Sequence, residues 1–370
     1  MTPRRDNLGI HFAVGLQPSP TLTDHDRALL EELRPAGVIL FRDSFAHGRP
    51  YEEWLGTLRQ LLADVRACIG REKLLIAIDH EGGRVIRTPA PVTHFAYARE
   101  WVDKAGAVGR AMAVELRSLG MNVTFAPVVD VDSNPANPVI GARSFANNAE
   151  AVSKAALEFI SAVEAEGVLS CPKHFPGHGD TAVDSHHGLP EVGFSLEELR
   201  KRELLPFKAT IDAGVRMIMT SHILFPKIDP GVPATMSHRI ITEVLRNELG
   251  FDGVVVTDDI GMGAVRDMFD RPDAAENMMN AGTDLIDICA YGTDTARALE
   301  IADFIAAGRD AGRIAEETLA QSAARIEALL EELPQHDVEL LPEDVFEKHS
   351  GIAPLHDTSV QGAGTWQKPK

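Results

Sequence analysis

Most of the short apolar, β-branched runs in this chain end in polar side chains. The runs are GVILF (37–41), LLIAID (74–79), NVTFAPVVDV (122–131), VLSCPKH (168–174), VRMIMTSH (215–222), GVVVTDD (253–259) and DLIDIC (284–289). Between them lie amphipathic stretches such as YEEWLGTLRQLLADVRA, AEAVSKAALEFISAVEAEG and SLEELRKRELLPFKATIDAG, with apolar residues every three to four positions. Alternating strands and helices imply a parallel sheet, either open or closed into a barrel. The polar strand ends favour closure. In a (β/α)8 barrel all strand ends converge on one mouth, whereas an open sheet gathers its site at one switch point. The expected fold is therefore α/β: a single (β/α)8 TIM-type barrel, irregular in detail, over residues 1–333. Seven strands are clear, and ATMS (234–237) is the candidate for the eighth. After about Leu333 the periodicity fades, and 334–370 reads as a C-terminal tail, partly packed or mobile.

Composition removes several function classes. The formal charge of -19 disfavours a broad nucleic-acid surface or an anionic membrane as partner. Cys68, Cys171 and Cys289 are far apart and odd in number, which argues against a disulfide framework and for a reducing compartment. The N-terminal apolar run is interrupted by Asp6, His11 and Gln17, so no secretory signal is read there, and the expected location is cytoplasmic. No G-x-G-x-x-G follows the first strand and no P-loop occurs, so no nucleotide cofactor is expected. The sequence leaves the oligomeric state open.

Four stretches carry candidate chemistry. In GFDGVVVTDDIGMGA (250–264), Asp258 stands at a strand end and suits a catalytic carboxylate, while Asp259 suits either that role or a cap on the turn before Gly261. In AIDHEGGRVIRTP (77–89), Asp79 can accept hydrogen bonds from two hydroxyls, and Arg84 and Arg87 follow a Gly-Gly turn. An internal Asp–Arg pair explains that stretch equally well. Arg143 lies in the turn-rich NPVIGARSFANNAE, where a solvated surface arginine is the ordinary reading. The fourth stretch is KHFPGHGDTAVDSHHGLP (173–190). Lys173 and His174 end a strand, and a long glycine-rich loop follows, of the kind that often forms a lid. In that loop Asp184 stands two residues from His186. A carboxylate against one imidazole nitrogen fixes the tautomer and makes the other nitrogen a better base.

Together DHEGGRV, IGARSF, KHFPGHGDTAVDSHHGLP and TDDIGMGA resemble the signatures of family 3 glycoside hydrolases, most closely the bacterial β-N-acetylhexosaminidases of cell-wall recycling. The resemblance is collinear from about Gly37 to Leu330. It implies a retaining exo-β-N-acetylglucosaminidase acting on N-acetylglucosamine-containing muropeptides or chitooligosaccharides, without metal or other cofactor. Under it, Asp258 is the nucleophile, His186 the acid/base and Asp184 its partner, while Asp79, Arg87, Arg143, Lys173 and His174 hold the sugar. His178 and His187 receive no role beyond loop packing. Three features depart from the usual pattern: His80 in place of a glutamine, TDDIGM in place of SDDLSM, and the tail. They bear on the preference for the leaving group.

Other readings remain open on sequence alone. A β-glucosidase or a glycosyl phosphorylase fits the same scaffold, since an uncharged imidazole tolerates incoming phosphate better than a carboxylate does. A metal-dependent hydrolase would use His174, His178, His186 and Asp258, but neither H-x-H nor H-E-x-x-H occurs. A catalytically inert sugar-binding protein would have no need of both Asp258 and the Asp184–His186 pair.

Overall fold

The computed structural model describes residues 7–181, 189–262, 266–289 and 297–357. Eight short strands line up in parallel: β1 Phe12–Gly15, β2 Gly37–Leu40, β3 Leu75–Ile78, β4 Val123–Thr124, β5 Leu169–Ser170, β6 Met217–Met219, β7 Val254–Val256 and β8 Ile286–Ile288. Six of them pair in the order β5-β4-β3-β2-β1-β8, and β6 pairs with β7. Parallel bridges Phe175↔Thr220 and Val256↔Leu285 join the two sets, so every strand has a neighbour on each side and the sheet closes. The result is an irregular eight-stranded barrel in which β4 and β5 contribute only two residues each.

The alternation of side chains fills both faces. Ile39, Ala77, Val123, Leu169, Met219 and Val256 pack together inside the ring. Their neighbours Val38, Leu40, Ile76 and Ile78 face outward against helix Tyr51–Ile69. Burial on both faces explains why the strands read as continuous apolar runs. Ile326, Leu329 and Leu330 of helix Glu316–Glu332 join the interior cluster. Asp284, just ahead of β8, is fully buried and accepts hydrogen bonds from Arg246 (2.6 Å), Arg325 (2.9 Å) and the Val255 amide (2.8 Å).

Two expectations need correction. The eighth strand is β1, not ATMS. Residues Ala234–Met236 form a single 3-10 turn after Pro233, and Thr235 in it is committed to Ser221 and His222. The SLEELRKRELLPFKATIDAG run is two helices, Leu196–Lys201 and Leu204–Asp212. Pro206 has no amide to offer the Arg202 carbonyl, so one continuous helix would lose a bond at that point. Beyond the barrel, helix Glu343–Ser350 inserts Phe346 edge-on against Tyr51, with ring centroids 5.5 Å apart. Among the described residues no helix is long and apolar enough to cross a membrane.

Candidate active site

The ends of β3 and β5 bring their polar residues to one point. The Lys173 ammonium bridges Asp79 (2.7 Å) and Glu81 (2.6 Å). Arg143, on the turn Gly141–Arg143, donates through Nε and Nη2 to the two Glu81 oxygens at 2.8 and 2.9 Å. Arg87 approaches Asp79 at 3.6 Å. Charges buried together like this persist only when each is paired. Burial pushes the Glu81 carboxyl up, but Arg143 and Lys173 override it and hold the group well below the usual carboxylate range. Burial alone would lower Lys173, and Asp79 and Glu81 raise it instead. The Gly82–Gly83 turn makes this geometry possible. Both residues have positive φ, and a Cβ on Gly82 would lie 2.5 Å from the Ala96 carbonyl oxygen.

Beside this group, Asp130 organises the start of the long loop. Its Oδ2 lies 2.7 Å from His174 Nδ1, and its Oδ1 accepts the His178 amide at 2.7 Å. His178 Nδ1 lies 2.8 Å from the Thr181 hydroxyl. Burial first, then the adjacent His174, lower the His178 pKa to about 4, so this imidazole is neutral near pH 7. Asp184, His186 and His187 lie outside the described residues.

Asp258 follows β7. Its Oδ1 accepts the amide of Asp259 at 2.8 Å. Burial works against its ionisation, but His174, His222 and Lys173 outweigh it and lower the pKa. Asp259 behaves differently. Its Oδ1 accepts the amides of Gly261 (2.8 Å) and Cys289 (3.0 Å), so the side chain ties the turn to the end of β8. Burial, reinforced by the charge of Asp258, raises its pKa to about 7. Asp259, Asp287 and Cys289 are the group among the described residues whose donor atoms converge, all within 4.8 Å. Burial raises Asp287 and Cys289 well above their ordinary values, and the Cys289 thiol donates to Asp287 at 2.9 Å.

Residues 14–329 match the model for the glycosyl hydrolase family 3 N terminal domain. The chain belongs to glycosyl hydrolase family 3. It is 42% identical to "Beta-hexosaminidase A" of Pseudoalteromonas piscicida over 72% of this chain, but it spans only about half of that relative, 49% of its length. The structure of a family 3 β-N-acetylglucosaminidase from Paenibacillus superposes with a TM-score of 0.82 at 34% identity, covering 93% of this chain and 67% of that one. NagZ of Neisseria gonorrhoeae in complex with N-trifluoroacetyl-D-glucosamine matches with a TM-score of 0.71 at 30% identity, covering 95% of both chains.

Within this family 3 barrel, the structure brings Asp79, Arg87, Arg143, Lys173 and His174 to the mouth together with Asp258. Arg143 is mostly buried and engaged by Glu81, not the solvated arginine its loop suggested. Glu81, Asp130 and His222 were not singled out from sequence as site residues. Glu81 holds the cations together, Asp130 seats His174, and His222 faces Asp258 while its Nδ1 lies 2.8 Å from Thr235. Asp130 and His222 were visible only as polar strand ends, and Glu81 only as part of EGGR.

Acid–base behaviour of the fold follows from the same burial. Glu203 precedes helix Leu204–Asp212. Its carboxyl is pushed from 4.5 to about 7 by burial, against the pull of Arg202 at 2.6 Å. A carboxyl raised in the folded state stabilises the fold fully below its unfolded pKa and loses that contribution as pH rises through the folded one. Asp259 acts in the same direction over the same window. Glu203→Gln removes the Glu203 contribution, so its melting temperature relative to the parent should rise as pH goes from about 5 to about 8. A difference between variant and parent that stays constant or falls across this range would contradict the assignment.

Proposed function

We propose that this chain is a retaining exo-β-N-acetylglucosaminidase that removes terminal β-linked N-acetylglucosamine. The observation that carries the reading is Asp258: a carboxylate at the barrel mouth, kept ionised by His174, His222 and Lys173, beside a paired set of polar groups suited to sugar hydroxyls. In the first step Asp258 attacks the anomeric carbon as the bond to the leaving oxygen breaks, and His186 protonates that oxygen. In the second, His186 takes a proton from water, the water oxygen attacks the same carbon, and Asp258 departs. Asp184 holds the His186 tautomer. Asp79, Arg87, Lys173 and His174 hold the sugar, and Arg143 joins them through Glu81. Two carboxyl groups about 5 Å apart usually do this work. An imidazole in place of the second is a cation when it delivers the proton and neutral when it later takes one from water, so in neither step does it repel the Asp258 carboxylate. The relatives' names support the substrate, as does the N-acylated glucosamine bound by the Neisseria protein. Cytoplasmic peptidoglycan fragments and chitooligosaccharides are the proposed natural substrates.

An aryl-glycoside panel tests this. Aryl N-acetylglucosaminide should be the preferred substrate over N-acetylgalactosaminide and glucoside, with free N-acetylglucosamine as product, no acceleration by phosphate and activity that survives chelation. Preference for the glucoside would overturn the specificity, and a sugar 1-phosphate product would make the enzyme a phosphorylase. His186→Ala should harm substrates with poor leaving groups far more than activated aryl glycosides, because only the former need a proton delivered. Equal losses on both would count against the acid role.

A further inference from the structure

The C-terminal segment lies beyond the family match, which ends at residue 329, yet it pairs with the stretch that backs the Gly82–Gly83 turn of the candidate site. Pro354, Leu355 and His356 run antiparallel to residues His94–Ala96. The Ala96 amide donates to the Pro354 carbonyl and the His356 amide to the His94 carbonyl, each at 2.8 Å. The opposite side of the same short stretch supports the Gly82–Gly83 turn. The Gly83 amide is shared between the Phe95 and Ala96 carbonyls at 2.9 and 3.0 Å. That turn sits between Glu81, which clamps Arg143 and Lys173, and Arg87, which approaches Asp79. Three layers of backbone therefore stack from the tail to the polar set.

The strap is anchored along its length. Arg59 donates to the Val338 carbonyl at 3.0 Å, and Lys104 to the Ile352 carbonyl at 2.6 Å. His349 lies 2.6 Å from Glu115, whose carboxylate also accepts the Thr93 amide and hydroxyl at 2.7 and 2.6 Å. Glu115 thus fixes the tail helix and the start of the 93–97 stretch to each other.

We propose that residues 334–357 are a built-in strap that positions the Gly82–Gly83 turn, and through it Glu81 and Arg87, so that the tail sets sugar affinity without touching the reacting atoms. The mechanical coupling stands on geometry alone; its effect on affinity rests on the glycosidase reading above. The test is His356→Pro in the full chain, which deletes the amide donor to His94. Hydrogen exchange in residues 81–97 should accelerate. KM for an aryl N-acetylglucosaminide should rise about fivefold, the equivalent of one lost hydrogen bond, with kcat held within about twofold. His356→Ala keeps the amide and should recover most of the affinity. Unchanged exchange or unchanged KM in His356→Pro would overturn the proposal. So would a parallel fall of kcat and melting temperature in both variants, the mark of a merely structural role. If the parent protein cleaved no glycoside at all, the glycosidase reading would fail, and the exchange measurement would still decide whether the strap is coupled to the turn.

Discussion

Asp258→Asn is expected to lower kcat by on the order of 10^4-fold or more while the protein remains folded. Asparagine has nearly the same shape and keeps an oxygen able to accept the Asp259 amide. What it lacks is the negative charge that, in the proposed mechanism, attacks the anomeric carbon and that faces His174, His222 and Lys173. Because these groups stabilise the ionised carboxylate, the substitution also removes some stability at neutral pH, present above the unfolded pKa of the aspartate and lost as pH falls through the folded one. An activated aryl N-acetylglucosaminide is the right substrate, since its leaving group needs no acid and the assay isolates the nucleophile. Activity within about tenfold of the parent would rule out Asp258 as the attacking group.

Lys173→Met is expected to be the most damaging single change to the fold among the site residues. Lys173 is almost completely buried and holds both Asp79 and Glu81. Removing one partner of a buried ionic group leaves its counter-charges uncompensated, which typically costs about 3–5 kcal/mol. Arg143 still neutralises Glu81, but Asp79 is left with Arg87 at 3.6 Å. The double variant Lys173→Met/Asp79→Asn should regain part of the loss, because the stranded charge is then gone while Glu81 still pairs Arg143. Denaturant unfolding measures both. A loss below about 1 kcal/mol for the single variant would mean that solvent reaches the network freely.

How much of this was legible in the sequence depended on whether a feature was local. The barrel was, because polar residues at strand ends and amphipathic stretches between the strands are written into contiguous sequence. β1 was not: FAVG is four residues long, and its pairing with β2 and β8 is what makes it a strand. ATMS resembled a strand by composition, but Thr235 serves tertiary contacts to Ser221 and His222 that no local pattern encodes. Within the site, Asp79, Lys173 and Asp258 were exposed as candidates by their position after apolar runs. Glu81 was hidden because its importance comes from partners 62 and 92 residues away, Arg143 and Lys173. The two readings of Asp259 were separated only by its bonds to Gly261 and Cys289, one local and one across the mouth.

In the proposed mechanism Asp258 forms a covalent bond to the sugar. An activated 5-fluoro N-acetylglucosaminide tests it most directly: the fluorine slows both oxocarbenium-like steps, while the good leaving group lets the first proceed. Peptide mapping by mass spectrometry should find one added sugar on the peptide that contains Asp258, and none in Asp258→Asn. A sugar attached elsewhere, or rapid turnover with inverted configuration at the anomeric carbon and no adduct, would contradict the account.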